Sequence, residues 1–277
     1  MQMSERDGYQ PGVPCWVDTW QPDPAAAVGF YTELFGWEAT NLMPSDSPGE
    51  YSLCKLRGRD AAAVVSQHGA PAPPRPLWAT HVWVESADDT AVKVTDAGGS
   101  VVGDPFDSPG GGRVAVLSDP SGAVFSVWQP GERKGAQVVN EPGAWAMSQL
   151  ITRDPAGAKA FYGAVFGWET DTFDLGEIQI TLWRLPGYVG GEPEQPVPRD
   201  VIGAMTPMPA DFFADDAPPR WSVDFWVHDV DATADKATEL GGEVVVAPDD
   251  DMPGFRRAVL ADPQGAVFSV SKVSPAA

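Results

Sequence analysis

The sequence predicts an α+β protein made by tandem duplication, with two domains that each hold two strand–helix–three-strand units. Three observations predict it. Asp23-Pro24, Phe30-Tyr31 and Phe35-Gly36-Trp37 return as Asp154-Pro155, Phe161-Tyr162 and Phe166-Gly167-Trp168, each 131 positions later, and repetition at a fixed period marks a repeated structural unit. Trp78, Trp83, Gly98-Gly99 and Asp119-Pro120 with Gly122-Ala123-Val124-Phe125-Ser126-Val127 return as Trp221, Trp226, Gly241-Gly242 and Asp262-Pro263 with Gly265-Ala266-Val267-Phe268-Ser269-Val270, now 143 positions later. Finally, the 277 residues suit two domains, because a single core rarely grows much beyond roughly 150 to 200 residues.

The first helix of copy one begins at Asp23 as N-cap with Pro24 in its first turn and stops at Gly36; copy two repeats this with Asp154, Pro155 and Gly167. Val28, Tyr31, Leu34 and Phe35 fall on one apolar face, which must pack on a sheet, so the Phe-Tyr…Phe-Gly-Trp segment is structural. A second helix spans roughly 88–97 and 231–240, each ended by a Gly-Gly pair. Between the helices, β-rich runs at 80–84, 114–117 and 124–128 read as strands. The change of offset gives copy two 12 extra residues, expected in the Pro-rich loops around 186–199 and 206–220. The stretch 130–143 is rich in Gly, Pro and polar residues and reads as the connection. The expected domains are therefore 11–130 and 143–273, with a linker at 131–142.

Composition narrows the function. Apolar residues at 43% and charged residues at 21% fit a packed globular protein. A formal charge of −21, from 39 acidic and 18 basic residues, repels polyanions over most of the surface, so neither nucleic acid nor an anionic membrane is an expected partner. No apolar run approaches the ~20 residues of a membrane span, and the first residues lack the basic and hydrophobic regions of an export signal; the expected location is the cytoplasm. Cys15 and Cys54 have no metal-type or redox-type spacing and read as ordinary small residues.

Paired units with a Phe-Tyr helix and a final Asp-Pro-x-Gly-x-x-Phe strand resemble the vicinal oxygen chelate superfamily of glyoxalases, bleomycin-resistance proteins and extradiol dioxygenases. The likeness covers nearly all of residues 11–273 and is most similar to two-domain actinobacterial proteins labelled glyoxalase or hydroxylase. It implies that each domain curls a mixed sheet around a pocket, and that metal-dependent members carry His, Gln or Glu on inward strand positions. Those positions fall here at Trp16, Ala79 and Ser126 in copy one and at Met147, Ser222 and Ser269 in copy two. An indole offers no lone pair and a thioether is a soft ligand, so no bound metal and no other cofactor is expected.

Because strand side chains alternate with period 2, residues two away share the inward face. Copy one then presents Trp16, Asp18 and Trp20, then Ala79, His81 and Trp83, then Ser126 and Trp128. Copy two presents Met147, Gln149 and Ile151, then Ser222, Asp224 and Trp226, then Ser269 and Ser271. Apolar walls with sparse polar groups characterise small-molecule sites, and indoles stack on planar ligands; tryptophans that merely fill the curled sheet are the competing reading. Asp18 and His81 are the candidate catalytic pair, a carboxylate orienting an imidazole, against a purely structural hydrogen bond. His68 and His228 lie in turn-like contexts that suit solvated or capping roles, and Asp249-Asp250-Asp251 lacks the spacing of a calcium loop.

Three functions compete: binding of a small, aromatic or hydrophobic organic molecule; a metal-independent enzyme using Asp18 and His81 as acid–base pair; and a metal-dependent lyase or dioxygenase. Two fused copies supply internally what single-domain relatives obtain by dimerising, so a monomer is preferred over a homodimer.

Overall fold

The computed structural model describes residues 6–68, 73, 75–174, 179–190, 198–208, 217–251 and 254–273. In the first copy the elements run β1 (Pro14–Gln21), α1 (Pro24–Phe35), β2 (Glu38–Asn41), β3 (Tyr51–Leu56), β4 (Arg59–Ser66), β5 (Leu77–Trp83), α2 (Ala87–Asp96), β6 (Ser100–Ser108), β7 (Gly112–Ser118) and β8 (Val124–Pro130). The second copy repeats them as β9 (Trp145–Thr152), α3 (Pro155–Phe166), β10 (Glu169–Asp174), β11 (Gln179–Arg184), β12 (Val201–Pro207), β13 (Arg220–Trp226), α4 (Val230–Glu239), β14 (Glu243–Asp249), β15 (Phe255–Ala261) and β16 (Val267–Val273).

Each copy is one open eight-stranded mixed sheet, ordered β2-β3-β4-β1-β5-β8-β7-β6 and β10-β11-β12-β9-β13-β16-β15-β14. The two units of a copy join where β1 runs antiparallel to β5, with Trp16 opposite His81 and Asp18 opposite Ala79. On the outer sides β1 is parallel to β4 and β5 is parallel to β8. The parallel pairs are possible because each unit interposes a helix as crossover.

Local chemistry sets the helix ends as the sequence reading expects. Asp23 and Asp154 accept hydrogen bonds from the backbone N–H of Ala26 and Gly157, and Gly36 and Gly167 close the helices in the left-handed conformation at φ 72°, where a Cβ is disfavoured. Ser86 and Asp229 cap α2 and α4. The Asp-Pro-x-Gly motif is also a turn: Asp119 Oδ1 accepts from the N–H groups of Ser121 and Ala123, and Asp262 Oδ1 from those of Gln264 and Ala266.

The helices do not pack only on their own sheets. Phe35 of α1 lies 4.7 Å from Phe225 and 6.0 Å from Phe268, both on the second sheet. Reciprocally, Phe125 of the first sheet lies 5.6 Å from Tyr162 and 6.0 Å from Phe166 of α3. Thr80 Oγ1 donates to Ser148 Oγ at 2.6 Å between the central strands of the two copies. The connection is packed rather than loose: Ala136 and Val138 are buried, and the N–H groups of Ala136 and Gln137 donate to the carbonyls of Cys15 and Asp60.

The extra length of copy two enters chiefly between β11 and β12, where residues 185–200 replace the two-residue turn at Arg57–Gly58; parts of both Pro-rich loops lie outside the described residues. No helix among the described residues is long and apolar enough to cross a membrane.

Candidate functional site

Gln21 and Thr80 face the partner copy, as their bonds to Asp262 and Ser148 require, and Gln21 Nε2 also donates to Thr19 Oγ1 on the same side. By alternation, Asp18, Trp20 and His81 point to the opposite face of the first sheet. There a cavity of about 230 Å³ opens, lined from the strands by Asp18, Trp20, Tyr51, Val65 and His81. The β6–β7 hairpin roofs it, contributing Phe106 and Pro109, and Glu50 and His68 lie at its edge.

The roof depends on glycine. A Cβ at Gly110 would lie 2.5 Å from the Tyr51 hydroxyl, and one at Gly112 would lie 2.6 Å from the Trp128 ring. Both separations are far inside contact distance, so the hairpin reaches this close to the strand floor only because these positions have no side chain.

The fold brings Asp18 and His81 together. His81 Nε2 is 2.9 Å from Asp18 Oδ2, with both side chains almost wholly buried at 1% and 3% exposure. The approach lacks the alignment of a hydrogen bond: both imidazole nitrogens, Asp18 Oδ1, the Tyr51 hydroxyl and Trp20 Nε1 are buried without a hydrogen-bond partner. Each such group costs about 1–3 kcal/mol when unsatisfied, and all four residues line this one cavity. Burial pushes the Tyr51 phenol well above its ordinary range, and the Asp18 carboxylate raises it further, against smaller opposing contributions from the Trp16 indole and Arg133; Tyr51 is therefore a neutral donor.

The other candidates of copy one are placed differently. Trp16 and Trp128 are buried 6.4 Å apart, and His81 packs edge-on against Trp128 at 6.0 Å. Ser126 stands opposite His81 in the sheet with its hydroxyl buried and unpartnered. These three back the cavity rather than line it. Trp83, farther along β5, is covered by Tyr9 at 6.2 Å and borders a separate hollow beside Lys134.

On the second sheet the equivalent face has lost its aromatic character. Gln149 stands where Asp18 stands and donates to Thr206. Asp224 stands where His81 stands and accepts from Ser271. Burial raises the Asp224 carboxyl to about 6, against opposing contributions from the Ser271 hydrogen bond and Arg257. Ser222 and Ser269 are buried, while Met147 and Trp226 are half-buried. The two faces are chemically distinct.

Sequence reasoning missed Tyr51, Glu50, Phe106 and Gly110 because they lie on β3, on the loop before it and on the β6–β7 hairpin, outside the strands from which the face was projected. The Pro-Gly-Gly-Gly run at 109–112 is the one local signal of a close backbone approach. His68, read as a turn residue, is exposed but borders the cavity and approaches Ser66 Oγ.

No group of three or more His, Cys, Asp or Glu side chains placed to hold a metal occurs among the described residues. Where the resemblance places metal ligands, the first sheet carries Trp16, Ala79 and Ser126, and the second Met147, Ser222 and Ser269; these donor sets do not fit a divalent cation.

Residues 16–127 match the family model described as Glyoxalase/Bleomycin resistance protein/Dioxygenase superfamily, and residues 150–271 match a Glyoxalase-like domain. A Mycobacterium tuberculosis protein named as a candidate glyoxylase, CFP32, is 37% identical over 99% of this chain and 99% of its own length. The anthracycline biosynthesis protein DnrV of Streptomyces peucetius is 37% identical, covering 95% of this chain and 94% of its own. Among solved structures, the Mn(II)-bound glyoxalase of Novosphingobium aromaticivorans superposes with a TM-score of 0.61 at 16% identity, covering 95% of this chain and 82% of that one. The 2,3-dioxygenase LapB of Pseudomonas sp. KL28 gives 0.60 at 12% identity, with coverages of 95% and 93%.

Proposed function

Because the chain belongs to the glyoxalase/bleomycin resistance protein/dioxygenase superfamily, whose fold hosts many activities, its own site must decide its function, and we propose that the first cavity binds a small, planar aromatic molecule. The observation that carries this reading is that Asp18, Trp20, Tyr51 and His81, whose buried polar atoms have no hydrogen-bond partner, all line one cavity. Binding sites combine apolar walls with a few such groups that fix orientation. Asp18 Oδ1 accepts a ligand hydroxyl, Tyr51 and Trp20 donate to a ligand oxygen, and the Trp20 and Phe106 rings supply apolar contact. At about 230 Å³ the space is below the roughly 300–1,000 Å³ of drug-sized sites, so it suits a ligand of about two fused rings. A relative named for anthracycline biosynthesis supports polycyclic aromatic chemistry as the ligand class.

The superfamily's divalent metal supplies Lewis-acid polarisation where it is bound. The residues at the corresponding positions here do not fit it, and no step is derived through it. The test is titration with 1-naphthol, read by quenching of tryptophan emission. Saturable quenching without product, weakened in Asp18→Asn and Trp20→Phe, is the expected result; quenching unchanged in both variants removes the first cavity as the site.

A second reading is favoured by the 2.9 Å approach of His81 to Asp18: proton transfer on a carbonyl or quinone-like ligand, with His81 as the base that takes a proton from a ligand hydroxyl or from the carbon beside the carbonyl, and Asp18 stabilising the protonated imidazole that results. It requires turnover of such a ligand that is lost in His81→Ala and Asp18→Asn while binding persists.

A further inference from the structure

The titratable groups that line the first cavity are Asp18, Glu50, Tyr51, His68, His81 and Asp107. Three are carboxylates, and no lysine or arginine lines it among the described residues. Asp107 is at the rim, its side chain 86% exposed, and it pairs with Arg113 at 3.1 Å. That cation is shared, because Asp88 takes its Nε at 2.6 Å and its Nη2 at 2.9 Å. The Glu50 carboxylate is half-buried and has no ion-pair partner among the described residues. The surroundings reinforce the sign, since the whole chain carries −21.

We infer that the first cavity selects its ligand by charge, taking aromatic molecules that carry a protonated amine and rejecting those that carry a carboxylate or phosphate. This rests on the reading of the cavity as an aromatic-ligand site and adds the chemical class of the ligand's substituent. The geometry orients such a molecule. Its ring enters between Trp20, Val65 and Phe106, toward the buried Asp18–His81 pair, and its ammonium stays at the half-exposed edge beside Glu50 and Asp107. An ammonium there keeps part of its hydration while it gains the Glu50 carboxylate, with the Asp107–Arg113 pair at the rim. An anion in the same place meets the Glu50 carboxylate and finds no available cation, because Arg113 is already engaged by Asp88 and Asp107. A low-dielectric wall focuses such a field on the entering ligand.

The test uses three probes with the same ring system: 1-naphthylmethylamine, 1-naphthalenemethanol and 1-naphthoate, titrated into the full chain at pH 7 and read by tryptophan quenching. The amine is expected to bind roughly five-fold tighter than the alcohol, a size typical of partly exposed charge pairs, and the carboxylate weakest. Glu50→Gln is expected to bring the amine close to the alcohol while leaving the alcohol unchanged. Raising the salt concentration should narrow the amine's advantage, because the edge charges are screened. Equal binding of all three probes, or a carboxylate preference, overturns the charge inference and leaves the aromatic site standing. Failure of every probe to quench overturns both. An amine preference that survives Glu50→Gln and Asp107→Asn together assigns the selectivity to the overall charge of the chain and overturns the role given to this edge.

Discussion

The Tyr31 hydroxyl donates to Asp262 Oδ2 at 2.8 Å, joining residues 231 positions apart. Tyr31 belongs to the Phe-Tyr helix of copy one and Asp262 to the Asp-Pro-x-Gly turn of copy two. Tyr162 donates to Asp119 in the reciprocal direction at 3.2 Å. Each hydroxyl also accepts an indole N–H, from Trp78 and Trp221 respectively. The motifs that mark the duplication are therefore the ones that clasp its two halves together.

Tyr31→Phe should destabilise the chain by about 1–3 kcal/mol, since it removes a buried donor to a carboxylate and strands the Trp78 indole. Tyr162→Phe should cost less, because its bond to Asp119 is longer. Urea denaturation of both variants checks the order, and equal midpoints for wild type and Tyr31→Phe would show that the clasp contributes nothing.

Gly110→Ala places a Cβ 2.5 Å from the Tyr51 hydroxyl and 3.1 Å from the Trp128 ring, so hairpin or floor must move. Overpacking of this kind costs about 1–3 kcal/mol. The expected outcome is a folded protein with at least several-fold weaker 1-naphthol quenching. Wild-type affinity in Gly110→Ala would mean that the hairpin does not bound the occupied space.

Asp224 gives a pH signature. Its carboxyl titrates near 6 when folded, against an ordinary value near 4 when unfolded. Between those pH values the folded chain holds the proton that the unfolded chain has lost, so stability falls as pH rises through that window and is level above it. With the partly exposed setting discounted for solvent screening, the loss is about 1–3 kcal/mol. Asp224→Asn should flatten this step and be the more stable protein at pH 8. Denaturation curves at pH 5 and pH 8 on both proteins measure it, and an unchanged step in the variant assigns it to another group.

Ligand quenching by the first cavity should survive dialysis against EDTA, because Trp16, Ala79 and Ser126 stand where metal donors would be needed. Loss of quenching on chelation, with recovery on adding Mn²⁺ or Zn²⁺, would show that other residues bind a metal the ligand requires.

The sequence by itself determined the duplication, from its repeated motifs, and the capped helices and Asp-Pro-x-Gly turns, from local propensity that a short window of residues expresses. It placed Asp18 and His81 on one sheet face only by strand alternation counted from positions that the family resemblance implies. Only the tertiary structure decided that Tyr31 reaches Asp262 rather than a partner in its own copy. It also decided that Trp16 and Trp128 back the cavity while Trp20 lines it, and that Tyr51, Glu50 and the hairpin at Gly110 complete it. Those relationships depend on how separate segments pack in space. Strand alternation fixes which face a side chain takes, but the curl of the sheet and the approach of a distant hairpin decide what meets it there.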